Sequence, residues 1–113
     1  AAGAAASEAI PALRAALDDP SPEVRIESAG TLARLGSYPE AVETLSEILK
    51  GSDPFAVLLA ARTLQLMGEK AHPAREAMAQ VLAASAHDAA YGSNALFLRF
   101  TLEPALASLS SGP

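Results

Sequence analysis

The chain has 113 residues, of which 50% are hydrophobic and 4% aromatic, and it has no cysteine. This length suits one domain, and the lack of cysteine excludes disulfides, thiolate metal ligands and thiol nucleophiles. The net charge of −5 argues against a nucleic-acid partner, because phosphate binding needs clustered Lys and Arg. No apolar run is long enough to predict a membrane span.

The first six residues, AAGAAA, predict a disordered lead-in or linker. We expect one domain over residues 7–109, followed by a short tail at 110–113. The start has neither the basic region nor the apolar run of a signal peptide, and it lacks Met. We therefore expect the chain to be part of a longer protein, and the sequence leaves its compartment open.

The first helix is predicted to begin at Ser7, a good N-cap residue. Pro11 then falls in the first turn, where its missing N–H is tolerated. The buried face has i, i+3, i+7 spacing and carries Ile10, Leu13 and Leu17.

The breaker DDPSP at 18–22 precedes a second predicted helix, which runs from Pro22 to about Leu35. Gly36 ends it as a C-terminal cap. The predicted inner face carries Val24, Ala29, Leu32 and Leu35.

Three further helices are predicted at about 39–50, 54–67 and 73–85. Ser52 or Asp53 caps the fourth helix, and Gly68 follows its end. The predicted buried residues of the third and fifth helices are Val42, Leu45, Leu49, Ala74, Met78, Val81 and Leu82.

One segment of the chain is repeated. Residues 22–36, PEVRIESAGTLARLG, return at 54–68 as PFAVLLAARTLQLMG, and a looser copy, LRFTLEPALASL, stands at 98–109. The period of 32 predicts stacked helical hairpins. Between Ala56 and Leu98 the offset grows to 42, so about ten inserted residues fall around 87–94. Pro104 should bend the last helix, predicted at 95–109 with Asn94 as its cap.

The predicted fold is therefore all-α: a short right-handed α-solenoid of three helical hairpins, with about six helices. The hairpins are expected at about 7–36, 39–68 and 73–109.

The run DDPSPEVRIESAGTLARLG at 18–36 resembles HEAT repeats, in particular the bacterial HEAT-like type of phycobilisome lyases. That type has Asp-Pro in the turn, then a Val-Arg pair, a small pair and a closing Leu-Gly. The second copy has Val57 where the type has arginine, and the third lacks the closing glycine. The matching pairs in the first copy are Val24-Arg25, Ser28-Ala29 and Leu35-Gly36.

The resemblance also implies that Arg25 and Arg99 are structural repeat arginines. In such stacks this arginine usually reaches an acidic group in a neighbouring turn, and an anion site is the alternative. The carboxylates available as partners are Asp18, Asp19, Asp53 and Asp88.

Two other runs, LLAARTLQLMGEKAHPAR at 58–75 and LRFTLEPAL at 98–106, look like the C-terminal HEAT-like extension of some bacterial sulfatases. The C/S-x-P-x-R motif of the sulfatase catalytic domain is absent from this chain. The resemblance therefore implies a non-catalytic appendage, and an extracytoplasmic place for such a parent.

The residues suggest no catalysis. His72 and His87 are 15 apart, too far for an i, i+4 metal pair, and we interpret them as turn or surface histidines. The glutamates fall mainly on solvent faces, and no Gly-rich phosphate cradle or Ser–His–Asp arrangement is present. We expect no catalytic, cofactor-binding or metal-binding residue.

The second helix of each hairpin usually lines the concave face of a HEAT stack, so its outward positions are candidate partner-binding sites. Three leucines at such positions would form an apolar patch, which usually marks an interface. The alternative is that inter-repeat packing or the last helix buries them. The predicted outward residues are Ile26, Glu27, Gly30 and Arg34 in the first copy and Leu58, Leu59, Arg62 and Leu66 in the second.

The predicted function is a non-catalytic module for protein–protein or interdomain packing, with an oligomer through the fourth helix left open. The first alternative is the accessory domain of a sulfatase-type hydrolase. The second is a subunit resembling phycobilisome lyases.

Overall fold

A computed structural model describes residues 2–86 and 94–110, which form two layers of helices. These residues contain six α-helices, and a 3₁₀ helix at Gly68–Ala74 connects the fourth α-helix to the fifth. The α-helices are α1 (Ala2–Ala16), α2 (Pro22–Arg34), α3 (Tyr38–Leu49), α4 (Pro54–Leu66), α5 (Arg75–Ser85) and α6 (Asn94–Ser110).

Consecutive helices pack as hairpins: α1 with α2, α3 with α4, and α5 with α6. The second helices α2, α4 and α6 also contact one another in turn, and α3 contacts α5. The Cα atoms fill a slab of 48 × 36 × 16 Å, so the stack is thin and its two broad faces lie close to the core. The all-α prediction of three stacked hairpins is confirmed.

Polar caps fix the starts of α2 and α4. The Ser21 hydroxyl accepts a hydrogen bond from the Val24 amide at 3.4 Å. The Asp53 carboxylate accepts from the amides of Phe55 and Ala56, at 3.1 and 3.4 Å. A proline follows each cap at the first helical position, where its missing N–H costs no intrahelical bond.

Glycines close the same two helices. Gly36 has a φ of 94° and Gly68 a φ of 59°, both in the left-handed region that favours glycine. After α2, the Ser37 amide donates to the Leu32 carbonyl and the Gly36 amide donates to the Ala33 carbonyl, the two bonds of a Schellman motif. The glycine caps predicted from the sequence are confirmed.

The first helix begins at Ala2, upstream of the predicted cap Ser7. Alanine has the highest helix propensity, so the Ala-rich start extends the helix. Pro11 therefore lies inside α1 and not in its first turn, and it lacks the N–H that would donate to the carbonyl four residues back. The predicted domain boundaries near residues 7 and 109 stay predictions.

Two other details differ from the predicted helices. The α-helix predicted from residue 73 begins at Arg75, because Gly68–Ala74, with Pro73 inside, form a 3₁₀ helix. In α2, the predicted inner residues Val24 and Leu35 are 37% and 38% exposed, so their assignment was wrong. Pro104 lies inside α6, and the bend predicted there stays a prediction.

Burial corrects the register of the third repeat. Val57, Ala60 and Ala61 in α4 are buried, and the matching buried residues in α6 stand 41 positions later: Leu98, Thr101 and Leu102. The predicted offset of 42 would pair buried Val57 and Ala61 with the exposed residues Arg99 and Glu103. The insertion thus lengthens this repeat by nine residues, not ten, and His87 and Asp88 within it lie outside the described residues.

Candidate functional site

The predicted partner-binding residues Leu58, Leu59, Arg62, Leu66, Ile26 and Arg34 differ in exposure. Leu66 is 86% exposed, and Arg34 and Arg62 are also exposed. Leu58 and Leu59 are half-buried and pack against the core. The expected patch of three exposed leucines is therefore reduced to one.

Ile26 does not face outward. It is only 6% exposed, so its predicted orientation was wrong. The reason is the close approach of α2 and α4: Gly30 lies one turn after Ile26, and a Cβ on it would stand 3.5 Å from Thr63 Cγ2. Ile26 fills the space between the two helices, and a periodicity within one helix does not show that contact.

Three exposed apolar residues of α6 were missed, and Phe55 in α4 is exposed as well. Phe55 is 55% exposed, Leu96 53%, Phe97 55% and Phe100 68%. In the corrected register, Leu96 is equivalent to Phe55, and Phe100 to Leu59. Their helices α4 and α6 pack side by side as second helices, so with Leu66 these residues form the α4–α6 face: Phe55, Leu66, Leu96, Phe97 and Phe100. The sequence signal was that phenylalanine occurs only in these two helices.

Two depressions lie one after the other between α2 and α4, beside this face. The first, about 370 Å³, is lined by residues that include Glu23, Glu27, Phe55 and Leu59. The second, about 320 Å³, is lined by Gly30, Ala33, Arg34, Tyr38, Thr63, Leu66 and Met67. We call the two depressions together the α2–α4 groove.

The two ends of the groove carry opposite charges. The first end has Glu23 and Glu27 and no cation in its lining. The second end has Arg34, whose Nη2 donates to the Thr31 hydroxyl at 3.0 Å, and no carboxylate in its lining. Lys70 lies over the Tyr38 ring at the same end, with Nζ 5.4 Å from the ring centroid.

Three exposed cations form no ion pair with any described residue: Arg34, Arg62 and Lys70. Arg34 and Lys70 stand at the second end of the groove, whereas Arg62, one helical turn before Leu66 on α4, lines neither depression. Other cations are paired elsewhere. For example, Arg14 Nε is 2.7 Å from Glu40, and this hydrogen bond raises the pKa of Arg14 above its ordinary value.

Among the residues that the structure describes, neither predicted repeat arginine pairs across turns. Arg99 is exposed and binds Glu103 in its own helix at 3.1 Å. In the corrected register the residue equivalent to Arg25 is Leu98, so the assignment of Arg99 as a repeat arginine was wrong.

Arg25 forms no ion pair with any residue in 2–86 or 94–110, and its Nε is buried without a hydrogen bond. The expected partners Asp19 and Asp53 are used otherwise. Asp19 accepts from the Ser21 amide at 2.8 Å, and Asp53 caps α4.

The described residues offer little chemistry. Within 2–86 and 94–110, no group of three or more His, Asp or Glu could hold a metal ion. His72 is exposed in the 3₁₀ helix. The described helices also include none with the length and apolarity to cross a membrane. The structure presents an apolar face beside a groove whose two ends carry opposite charges.

Stacked hairpins with an exposed second-helix layer define a short α-solenoid of helical repeats. The chain belongs to the HEAT repeat family: the family profile described as HEAT repeats matches residues 1–65, which span α1 to most of α4. No curated protein and no solved structure matches the chain significantly. HEAT repeats usually bind proteins as scaffolds and are typically non-catalytic.

Proposed function

We propose that this chain is a non-catalytic HEAT-repeat module that docks on a protein through its α4–α6 face. The protein is either a separate partner or the catalytic domain of a longer parent chain. The observation that carries the proposal is the 86% exposure of Leu66, with three exposed phenylalanines on the same two helices, α4 and α6. Large exposed apolar surface of this kind usually marks an interface.

The size of the α4–α6 face suits a standard interface. Aromatic side chains carry about 150–250 Å² each, so five large side chains that are half exposed or more present roughly 500 Å². A standard interface buries about 800 Å² per partner, of which somewhat more than half is apolar. The face therefore supplies about the apolar area that one such contact requires.

The opposite layer supports the same proposal by contrast. The exposed positions of α3 include Glu43 and Glu47, and those of α5 include Glu76 and Gln80. A solvated surface has this composition. Docking through the α4–α6 face would bury its exposed apolar side chains and leave these polar positions of α3 and α5 in water.

The proposal is tested by charge substitution in the full-length natural protein. The structure makes Leu66→Asp and Phe100→Asp better probes than changes at Leu58 or Leu59, because a charge at a half-buried leucine would also disturb the core. We expect Leu66→Asp to weaken association with the partner or parent domain at least tenfold, measured by calorimetry, with unfolding unchanged.

The matched control is Glu43→Lys, an exposed charge change on α3. It should leave the association unchanged. Wild-type association in both aspartate variants would contradict the proposal.

A second proposal concerns the parent. The runs at 58–75 and 98–106 support a C-terminal accessory domain of a sulfatase-type hydrolase, with the catalytic residues in another part of that protein. Reading the full gene tests this directly: a C/S-x-P-x-R motif with metal-binding acids upstream of residue 1 is expected. A gene without that motif would overturn the sulfatase proposal and leave the docking proposal intact.

A further inference from the structure

We infer that the α2–α4 groove binds an amphipathic α-helix with acidic residues in its first turn and basic residues in its last turn. This inference rests on the proposed docking function and adds the chemistry and direction of the partner segment. It is carried by the charge at the two ends of the groove.

The length of the groove fits a short helix. Glu23 and Arg34 mark its two ends on α2, and they are eleven residues apart. At 1.5 Å per residue this is about 16 Å, the length of a three-turn helix. The walls are apolar at both ends, through Phe55 and Leu59 at one and Leu66 and Met67 at the other. They would receive an apolar stripe of i, i+3, i+4, i+7 spacing.

The charges select the direction of the bound helix. Arg34, with Lys70 nearby, attracts carboxylates to the second end of the groove. Glu23 and Glu27 attract cations to the first end. Helices prefer acidic residues near their N-terminus and basic residues near their C-terminus. A helix with these preferred termini satisfies both ends only when it runs antiparallel to α2, with its first turn beside Arg34.

The cations at the second end are available for such a partner. Arg34 uses Nη2 for the Thr31 hydroxyl, and it forms no ion pair within the described part of the chain. The bond to Thr31 holds the guanidinium beside the groove and leaves other N–H donors for a carboxylate. Two cations without an ion pair at one end, Arg34 and Lys70, are also notable in a chain of net charge −5. Electrostatic complementarity of this kind chiefly sets the specificity and orientation of binding.

The experiment uses the whole chain and two synthetic helical peptides with capped termini, each of about fourteen residues, so that three turns cover the groove. The forward peptide, EEALLALLAALLKK, has acids first and bases last, and the reversed peptide, KKALLALLAALLEE, has the same composition with the charges exchanged. Affinities are measured by fluorescence anisotropy. We expect the forward peptide to bind roughly tenfold more tightly, with the difference shrinking at high salt.

A double exchange in the protein sharpens the test. Glu27→Arg with Arg34→Glu keeps the net charge and inverts the groove, so we expect it to favour the reversed peptide. The control is Glu43→Arg, a similar charge change on the outer layer, which should leave the preference unchanged. Circular dichroism shows whether each variant is folded.

The possible outcomes separate this inference from the docking proposal. If both peptides bind equally and Leu66→Asp abolishes both, the face is a docking surface and the charge-directed inference is overturned. If neither peptide binds the folded chain, the inference is also overturned. If the chain is a dimer that Leu66→Asp converts to a monomer, the occupant is a second copy, and the helical-peptide inference fails.

Discussion

The two helices of the middle hairpin use their apolar residues differently. In α3, the large apolar residues Val42, Leu45, Ile48 and Leu49 are all 5% exposed or less. In α4, Val57 and Leu64 are buried just as deeply, while Phe55 and Leu66 are 55% and 86% exposed. Folding accounts for these four residues of α3. It accounts for only some of the large apolar residues of α4, and the exposed remainder is the basis of the proposed docking face.

The largest expected change in unfolding free energy distinguishes buried leucines from exposed ones. Leu45→Ala in α3 and Leu64→Ala in α4 should each cost about 3 kcal/mol of unfolding free energy, because both side chains are fully buried. Leu66→Ala, two positions from Leu64, should change it by less than about 0.5 kcal/mol. Urea denaturation measures all three. An equal cost at Leu64 and Leu66 would show that the α4–α6 face is part of the core.

The next largest change in unfolding free energy is expected at the N-cap of α4, with the N-cap of α3 as the comparison. Asp53→Ala removes the acceptor of two amide hydrogen bonds at the start of α4 and should cost about 1 kcal/mol. Ser37 occupies the cap of α3 without a side-chain hydrogen bond, so Ser37→Ala is the matched control and should cost much less. Thermal unfolding of the two variants tests the difference, and similar losses would contradict the cap assignment.

A smaller effect, with opposite signs, is expected at two glycines of the first hairpin. Gly30→Ala should stabilise the chain by about 0.5–1 kcal/mol, because alanine favours helix and its Cβ would make an ordinary contact with Thr63 at 3.5 Å. Gly36→Ala should destabilise it by about 1 kcal/mol, because Gly36 has a φ of 94°. Denaturant midpoints give both signs. A loss of stability in Gly30→Ala would mean that α2 and α4 lie closer than described.

The fold could be predicted because its signals are local. Turn prolines, caps such as Asp53 and closing glycines such as Gly68 all act within a few residues of where they stand in the sequence. The start of α1 was missed for a related reason: Ser7 is a good cap, but the alanines before it favour helix even more. The 3₁₀ helix that precedes Arg75 contains Pro73, which is a local signal of the same kind.

The candidate site was harder to predict because contacts between repeats decide it. Ile26 and Leu66 both occupy outward positions of a second helix, yet Ile26 is covered by the neighbouring repeat and Leu66 is not. The third repeat was misaligned by one residue, because this copy shares few residues with the other two and contains a proline. That error made Arg99 look like a repeat arginine. Burial in the assembled stack corrects the register.

The most direct test of the central claim is photo-crosslinking in the cells that make the natural protein. A photoreactive phenylalanine analogue would replace Leu66 on the α4–α6 face or, as the control, Glu43 on the outer layer, and mass spectrometry would identify the products. The account predicts that position 66 crosslinks to one defined protein segment, from a partner or the parent chain, and that position 43 gives no such product. Equal crosslinking from both positions, or none from position 66, would contradict the assignment of the α4–α6 face as the docking surface.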